Sequence, residues 1–312
     1  MLRVTLIHNP EAGDETRPTR GQLEALIKEA GHKVRYQSVK DSGWSKVLKK
    51  QADLIAVAGG DGTIGKVARH MIGGKVPLTA LPMGTANNIS RTLGIVHLPI
   101  TLLIASWEKG RRLPFDAGMA EGPWGERHFV EGFGTGLFPR AVPHIDANQT
   151  LAEISDTVVK VTYTLQLLRE YLDKCPATQV TGSLDGEDIS GRYLLFEAML
   201  MQFIGPNLPL APNILSDDGM FDVVMVHDHD REKLHEHLAT WQEGALWPSE
   251  FKTSQGAQLE IEWKGFPVHI DDKVWPGEDE KPKPAGKIKL TIEPKALAFL
   301  VPEDLPESQL QR

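Results

Sequence analysis

The stretch that decides the class of fold is LIAVAGGDGTIGKVARHM, residues 54–71. Residues 54–58 are apolar without interruption, which is typical of a strand buried on both faces of a parallel sheet. Ile64, Val67, Ala68 and Met71 are spaced along one face of a helix. Between them, glycines surround Asp61 at a position where a helix begins and its free N–H groups favour an anion. The stretch predicts a strand, an anion-binding turn and a helix.

The same alternation of strand and helix runs through the first hundred residues. Val4 to Ile7 is strand-like, and Leu23, Leu26, Ile27 and Ala30 follow at helical spacing. Further strands are predicted at 34–36 and 76–81. We therefore expect an α/β domain with a mostly parallel sheet, in which ligands bind beyond the carboxyl ends of the strands.

After Phe115 the pattern changes to a series of strand-like segments. Only two stretches, 151–174 and 231–243, have the apolar spacing of helices. The strands are predicted at 127–132, 179–184, 193–203, 221–227, 258–263, 266–270 and 287–292. We therefore predict an α/β domain over 1–118, which the C-terminal segment 293–312 could complete, and a largely antiparallel, β-rich domain over 119–292.

Composition narrows the classes of function. The 312 residues carry 34 Lys and Arg against 42 Asp and Glu, a net charge of −8, which disfavours nucleic acid as a partner and limits membrane contact to local or transient association. The single cysteine, Cys175, cannot form a disulfide within the chain. No apolar stretch is long enough to span a bilayer, and residues 1–10 do not resemble a signal peptide, so we expect a cytoplasmic protein, peripheral to the membrane at most.

Three polar loops follow predicted strands at one edge of the sheet. Glycines in these loops allow close approach of phosphate groups, and Thr and Asn can bond phosphate or ribose oxygens or cap a helix. Ser38 ends the second strand at the same edge. Its hydroxyl could bind the nucleotide or could simply belong to a turn. The candidate nucleotide-binding residues are Asn9, Ser38, Gly59, Gly60, Asp61, Gly62, Thr63, Gly84, Thr85 and Asn87.

These loops carry a family resemblance. Asn-Pro-Glu-Ala-Gly at 9–13, Gly-Gly-Asp-Gly-Thr at 59–63 and Pro-Met-Gly-Thr-Ala-Asn at 82–87 resemble the signature loops of the diacylglycerol kinase catalytic family, which includes sphingosine kinases and bacterial lipid kinases. Phe-Asp-Ala-Gly at 115–118 and Phe-Gly-Thr-Gly at 133–136 extend the likeness over nearly the whole chain. The resemblance implies a two-domain lipid kinase that uses ATP and Mg²⁺ to phosphorylate a lipid hydroxyl. In such a kinase, 1–118 would be the nucleotide-binding domain and 119–292 the substrate- and metal-binding domain.

The resemblance also implies a role for each loop. Gly59, Gly60, Gly62, Thr63 and Thr85 would hold the ATP phosphates, and Asp61 would organise a catalytic magnesium ion or the acceptor hydroxyl. Such a reaction needs mainly positioning and charge neutralisation from the protein.

A second metal site is implied in the β-rich domain, where bacterial members hold a structural magnesium ion in an Asp-Gly turn. Here the carboxylate of Asp218 and the carbonyl groups of Leu215 and Met220 would be the ligands, an all-oxygen set suited to a hard cation, either Mg²⁺ or Ca²⁺. Asp116 would support this metal network. An ordinary Asp-Gly turn before the strand at 221–226 is the alternative.

The chain departs from the family at the expected catalytic base. Members usually end a strand with Asp-Gly-Glu, whereas this sequence reads Asp271-Asp272-Lys273. A lysine is protonated near pH 7 and is a poor replacement for a carboxylate base. We take Asp271 as the base, with Glu278 second and Asp272 also open.

The acceptor and two alternative functions stay open. An apolar wall for acyl chains could come from residues that could equally form the core, namely Phe133, Leu137, Phe138, Leu208, Leu210 and Trp275. Diacylglycerol, phosphatidylglycerol, a sphingoid base and a nonlipid alcohol are all candidate acceptors.

Two alternative functions also stay open. An NAD kinase is the alternative enzyme, because that family shares the Gly-Gly-Asp-Gly-Thr loop. Lys273 and the altered neighbour Asp272 favour a noncatalytic nucleotide or lipid sensor.

Overall fold

A computed structural model describes residues 1–14, 16–243, 251–277 and 284–305. The chain divides into two compact units, Met1–Phe115 with Lys295–Arg312, and Asp116–Pro294. Across the described ranges, no helix combines the length and the apolar character that crossing a bilayer requires.

The first unit alternates strands and helices as the sequence predicts. The elements are β1 (Arg3–His8), α1 (Arg20–Glu29), β2 (Lys33–Ser38), a 3₁₀ helix (Trp44–Lys49), β3 (Leu54–Gly59), α2 (Asp61–Met71), β4 (Leu78–Pro82), α3 (Asn88–Thr92) and α4 (Ile100–Ser106). The four strands form a parallel sheet in the order β2-β1-β3-β4, and a parallel strand from the C-terminal segment adds to β4, where Phe299 pairs with Leu78.

Burial explains why these segments take these forms. All six residues of β3 are buried, as expected of a strand covered on both faces, and the helix face formed by Ile64, Val67 and Ala68 is buried too. α1 begins at a capping box in which Thr19 and Gln22 bond each other's backbone.

The second unit is built mainly from antiparallel strands. Its elements are β5 (Arg111–Gly122), β6 (Gly125–Phe129), β7 (Gly132–Gly136), α5 (Leu137–Asp146), α6 (Gln149–Glu153), α7 (Thr157–Leu172), β8 (Thr178–Val180), β9 (Gly182–Leu184), β10 (Glu187–Asp188), β11 (Gly191–Met199), β12 (Phe203–Ile204), β13 (Leu208–Pro209), β14 (Phe221–His227), a 3₁₀ helix (Asp228–Asp230), α8 (Arg231–Gln242), β15 (Lys252–Gly256), β16 (Gln258–Trp263), β17 (Val268–Ile270), β18 (Lys273–Trp275) and β19 (Gly286–Val301). β5 begins in the first unit and β19 ends there.

Two antiparallel layers of strands share a core in this unit. One has the order β15-β14-β11-β7-β17-β18, and the other joins β10, β9, β16 and the first half of β19. Phe133, Phe196 and Phe221 from the first layer cluster with Leu259 and Ile288 from the second. Side chains of α5 to α8 cover the opposite face of the first layer. The predicted fold class, a mostly parallel α/β domain with a largely antiparallel β domain, is confirmed.

The helices between β7 and β8 differ from the prediction. The single helix expected over 151–174 is two helices, because α6 ends at Glu153 and Asp156 starts α7 by accepting hydrogen bonds from the N–H groups of Val158 (2.9 Å) and Val159 (3.0 Å). α5 lies outside the two predicted helical stretches, and it contains Pro139 and Pro143, which disfavour a helix locally. Pro139 lies in the first turn, where the missing N–H is tolerated.

Candidate active site

The strand register brings the predicted nucleotide-binding loops to one edge of the first unit's sheet. His8 at the end of β1 pairs with both Ser38 and Ala58, and Gly59 pairs with Pro82. The residues that follow β1, β3 and β4 therefore leave the sheet side by side. This is the edge at which parallel α/β sheets bind their ligands.

Two of the loops touch backbone to backbone. A Cβ atom on Gly84 would lie 2.3 Å from the Cα of Gly60, and one on Gly60 would lie 2.9 Å from the Cα of Gly84. The third loop, which contains Gly13, also lies against the loop after β4. Gly13 is left-handed (φ 81°), and a Cβ atom added to it would lie 2.3 Å from the carbonyl oxygen of Met83. Only glycine fits at these contacts.

Polar side chains hold the loops in shape. Asn9 donates from Nδ2 to Thr63 Oγ1 (3.3 Å), and Thr63 is itself buried. Asn87, in the left-handed conformation, accepts from the Gly84 N–H at 2.9 Å and donates to the Gly84 carbonyl at 2.8 Å. Three predicted nucleotide-binding side chains thus bond loop atoms.

Other predicted residues at this edge differ in their exposure. Gly62 and Thr85 are exposed, whereas Ser38 is buried and its Oγ accepts from the Lys40 N–H at 3.2 Å. Gly60 begins α2 with no side chain capping the helix, so the helix N-terminus keeps N–H groups of the kind that bind anions. Among the predicted nucleotide-binding residues, Gly62 and Thr85 are the two that are exposed.

Asp61 has a partner that sequence reasoning missed. Its Oδ1 accepts a hydrogen bond from the N–H of Ile89 at 2.9 Å, and the N–H groups of Asn88 and Asn87 also bond the carboxyl. Burial raises the pKa of Asp61, and these amides oppose the rise. The side chain of Asp61 therefore fastens the start of α3 to the first glycine loop. Its predicted part in binding magnesium or the acceptor hydroxyl stays a prediction.

In the second unit, Asp271 occupies the turn between β17 and β18. Ile270 pairs with Lys273, so Asp271 and Asp272 form the two-residue turn of a hairpin, with Asp271 left-handed (φ 49°). Asp271 Oδ1 accepts from the backbone N–H groups of Glu131 (2.8 Å), Val130 (3.1 Å) and Gly132 (3.4 Å). Such amide bonds favour the ionised carboxylate.

The other candidate bases lie differently. Asp272 is exposed, and its Oδ2 lies 3.8 Å from Nζ of Lys273, the residue that replaces the family's glutamate. Glu278 lies outside the described residues. Asp271 is the acid of this hairpin turn whose carboxylate is seen to accept from a set of backbone amides.

The predicted metal-binding turn is tied to Asp116, which is fully buried. The Asp116 N–H donates to the Ser216 carbonyl, and the Gly219 N–H donates to Asp116 Oδ2, both at 2.7 Å. Asp218 accepts from the Met220 N–H at 3.0 Å. Asp116 thus orders the turn that carries the predicted ligands Leu215, Asp218 and Met220.

The donor chemistry of this turn fits a hard cation, because one carboxylate and main-chain carbonyl groups supply only oxygen. In the parts of the chain that the structure describes, no three His, Cys, Asp or Glu side chains gather as a metal site. A cation here would therefore depend on main-chain oxygen and water for most of its ligands.

A buried acid and histidine lie beside the Asp271 turn, and the sequence prediction did not include them. Glu197 in β11 is fully buried, and its Oε2 lies 2.7 Å from Nε2 of His269 in β17. Burial raises the pKa of Glu197, and His269 opposes this. Burial alone would lower the pKa of His269, but Glu197 and the Asp271 backbone more than offset it, so that pKa is raised. A glutamate within the apolar segment LLFEAML, 194–200, was the signal available in the sequence.

The residues suggested for an acyl-chain wall lie mostly in the two cores of the second unit. Phe133 belongs to the core between the strand layers. Leu137, Phe138, Leu208 and Leu210 belong to the core beneath the helices. Trp275 is half-buried.

Comparison with known proteins agrees with this geometry. The sequence model of the "Diacylglycerol kinase catalytic domain" family matches residues 3–120, and that of the "YegS C-terminal NAD kinase beta sandwich-like domain" matches residues 144–301. The chain belongs to the diacylglycerol kinase family of lipid kinases, in the form that carries a YegS-type C-terminal domain. The resemblance seen in the signature loops is thereby confirmed.

Individual relatives span most of the chain. A diacylglycerol kinase of Bacillus subtilis (strain 168) is 27% identical over 234 residues, which cover 72% of this chain and 74% of the relative. A YegS-like protein of Shewanella frigidimarina (strain NCIMB 400), named as a probable lipid kinase, is 24% identical over 303 residues, 91% of this chain and 90% of the relative.

Solved structures share the fold. A diacylglycerol kinase from Bacillus anthracis str. Sterne superposes with a TM-score of 0.73 at 19% identity, covering 97% of this chain and 98% of the other. An NAD kinase from Archaeoglobus fulgidus, solved in complex with ATP, is more distant, with a TM-score of 0.51 at 12% identity and coverage of 99% and 98%.

Proposed function

We propose that this protein transfers the γ-phosphoryl group of ATP to a hydroxyl of diacylglycerol or of a closely related lipid alcohol. Membership of the lipid kinase family supports ATP use and a lipid acceptor, and the Bacillus subtilis relative is named as a diacylglycerol kinase. The proposal includes a cytoplasmic protein that meets the membrane surface transiently, where its acceptor resides.

The observation that carries the proposal is the contact between Gly60 and Gly84. It brings two glycine loops together at the carboxyl edge of a parallel sheet, beside a helix N-terminus that no side chain caps. Backbone N–H groups at such an edge bind phosphate oxygens. We assign the ATP phosphates to Gly59, Gly60, Gly62, Thr63, Gly84 and Thr85, with Asn9, Ser38 and Asn87 shaping the loops that hold them.

Asp271 is the acid that we assign to the acceptor hydroxyl. Three backbone N–H groups donate to its carboxylate and fix its direction. A strongly basic group is not needed, because phosphoryl transfer depends mainly on positioning and charge neutralisation. Asp271 would accept the proton as the hydroxyl oxygen bonds the γ-phosphorus, the bond from that phosphorus to the bridging oxygen breaks and ADP leaves; Glu278 is the second candidate.

Magnesium has two proposed locations. When bound with ATP it neutralises phosphate charge, and Asp61 is the residue that we assign to that ion or to the acceptor hydroxyl. The Asp218 turn would hold a second, structural cation through the Asp218 carboxylate and the carbonyl groups of Leu215 and Met220. There it would stabilise the turn that Asp116 orders.

The test is transfer of radiolabelled phosphate from ATP to defined acceptors. Mixed micelles with diacylglycerol, phosphatidylglycerol or sphingosine, and a separate reaction with NAD, are incubated with wild type, Asp271→Asn and the neighbouring control Asp272→Asn. We expect labelled phosphatidic acid from wild type and from Asp272→Asn, and transfer lower by about 10²- to 10⁴-fold in Asp271→Asn. Undiminished transfer by Asp271→Asn would remove Asp271 from the mechanism.

Two other outcomes would favour the alternatives. Labelled NADP in place of labelled lipid would indicate an NAD kinase, which the shared Gly-Gly-Asp-Gly-Thr loop supports. ATP binding with no transfer to any acceptor would indicate a nucleotide or lipid sensor, which Lys273 supports, since it forms an ion pair with Asp272 where the family has a glutamate.

A further inference from the structure

Glu197, Gly134 and His269 form a row across three neighbouring strands of the second unit. The register pairs Glu197 of β11 with Gly134 of β7, and Gly134 with His269 of β17. Side chains of paired residues point to the same face of a sheet. Glu197 and His269 therefore face each other across a position that has no side chain.

Gly134 is the gap that allows this contact. A Cβ atom at Gly134 would lie 1.9 Å from Oε2, 2.1 Å from Cδ and 2.3 Å from Oε1 of Glu197. The carboxyl group lies where a side chain of residue 134 would be. The glycine at the second position of Phe-Gly-Thr-Gly thus makes room for a buried acid.

The hydrogen bonds define where the protons are. Nδ1 of His269 lies 3.1 Å from the main-chain carbonyl oxygen of Asp271, and a carbonyl can only accept, so Nδ1 carries a proton. Nε2 lies 2.7 Å from Glu197 Oε2, and one shared proton satisfies that contact. Glu197 therefore sets the protonation state of an imidazole whose other nitrogen bonds the Asp271 turn.

The turn needs such support. A non-glycine residue is strained in the left-handed region, and Asp271 has φ 49°. Its N–H donates to the Gly132 carbonyl at 2.9 Å, its carboxylate accepts from residues 130–132, and its carbonyl accepts from His269. Among these partners of Asp271, His269 bonds through its side chain and the others through their backbone. Glu197 can therefore affect the turn through the His269 imidazole.

We propose that Glu197 is a positioning residue: through the tautomer of His269, it holds the Asp271 turn in the conformation that presents the Asp271 carboxylate. The proposal rests on the proposed function only in taking Asp271 as the proton acceptor. Without a partner on Nε2, neutral His269 can move its proton from Nδ1 to Nε2 and lose the bond to the Asp271 carbonyl.

The first test does not require activity. Nitrogen-15 NMR of the histidine side chains reports the protonated nitrogen of His269 in wild type, Glu197→Gln and Glu197→Leu, with His269→Gln used to assign the signal. We expect Nδ1–H in wild type, and loss of that state in Glu197→Leu together with changed amide signals of Val130, Glu131 and Gly132. Unchanged His269 and amide signals in Glu197→Leu would overturn the proposal.

The second test separates positioning from packing by kinetics. In Glu197→Leu we expect kcat to fall by about 10- to 100-fold, the range found when the outer hydrogen-bond partner of a metal-bound histidine is removed, with KM for ATP unchanged. Glu197→Gln retains a hydrogen-bonding group for Nε2 and should recover most of kcat. The control is His237→Gln, since His237 is also buried and bonds a carbonyl, that of Pro209 at 3.0 Å, in another part of the unit. Its kcat should equal that of wild type.

A double variant covers the case in which Glu197→Leu fails to fold. Replacing both members of a buried polar pair by apolar residues often preserves stability, so Glu197→Leu/His269→Leu should fold. It should still show the reduced kcat, and wild-type kcat in this variant would refute the positioning role. If wild type itself labels no acceptor, the proposed function fails, while the NMR measurement still decides the role of Glu197.

Discussion

The carboxyl Oδ1 of Asp61 accepts a hydrogen bond from the backbone N–H of Ile89, 2.9 Å away and 28 positions along the chain. This bond joins the first residue of α2 to α3, the helix after β4. Asp61→Asn replaces an acceptor-only group by one that turns an N–H₂ toward backbone donors. We expect a loss of about 1–3 kcal/mol in the free energy of unfolding and weaker ATP binding.

Urea denaturation and calorimetric titration with ATP measure both effects. Asp53→Asn is the control, because Asp53 bonds the exposed Arg3 on the same unit, and its loss should leave ATP affinity unchanged. Wild-type stability and ATP affinity in Asp61→Asn would show that the Asp61 bond does not organise the loops.

Gly84→Ala tests the contact between the two glycine loops. The new methyl group would lie 2.3 Å from the Cα of Gly60, so the loops must separate. We expect ATP to bind at least about tenfold more weakly, a change of about 1.4 kcal/mol. Titration with ATP measures this against Gly21→Ala, where an added Cβ meets nothing within 4 Å. Equal affinities of the two variants would contradict the contact's role.

Gly134→Ala tests the gap that Glu197 fills. The methyl group would overlap the carboxyl, and we expect a loss of about 3 kcal/mol in the free energy of unfolding. In the double variant, Glu197→Ala removes the atoms that the new methyl group would overlap. The double variant should therefore lose less stability than the sum of the two single losses. Chemical denaturation of the four proteins of this cycle provides the measurement, and strict additivity would argue against the overlap.

Removal of magnesium tests the Asp218 turn. A cation that binds only the folded state at a hundred times its Kd stabilises by about 2.7 kcal/mol. We expect Mg²⁺ to raise the Tm of the ATP-free wild type and EDTA to lower it, with both effects lost in Asp218→Asn. Asp217→Asn, which alters the adjacent carboxylate, should respond to Mg²⁺ as wild type does. A response retained by Asp218→Asn would place the ion elsewhere.

The His269–Glu197 pair predicts how stability depends on pH. In the folded protein the pKa of His269 is raised above 6.5, its ordinary value. Protonation of His269 therefore stabilises the fold in full below pH 6.5, and this stabilisation is lost as the pH rises through the pKa in the folded protein. Urea denaturation from pH 6 to 9 should show that decline in wild type and a shallower one in His269→Gln. The charged groups that contact the imidazole are Glu197 and Asp271. His237→Gln should keep the decline, because burial lowers the pKa of His237, whose contribution is lost as pH falls.

The elements of the first unit could be predicted because each signal is local. The apolar run 54–58, the glycines at 59–62 and the helical spacing of 64–71 are contiguous, and parallel pairing then brings the loops to one edge. α5 could not be predicted, because its two prolines suppress the local signal and tertiary packing overrides them.

Contacts between site residues that lie far apart in the chain could not be predicted from the sequence. The partner of Asp61 is 28 positions away, and the partner of Glu197 is 72 positions away. The Asp271-Asp272-Lys273 motif could be recognised, but the backbone amides that hold Asp271 come from residues 130–132, about which the motif says nothing. Such contacts depend on strand register, which the sequence does not state.

Because β19 begins at Gly286 and its Phe299 pairs with Leu78, the sheet that opens at residue 3 is finished by residues near 300. During synthesis, the last strand of this sheet can be added only after the whole second unit, residues 116–294, has been made. Residues 1–115 are therefore not the whole first unit, and a truncation before residue 299 removes the residue through which β19 joins the parallel sheet of that unit.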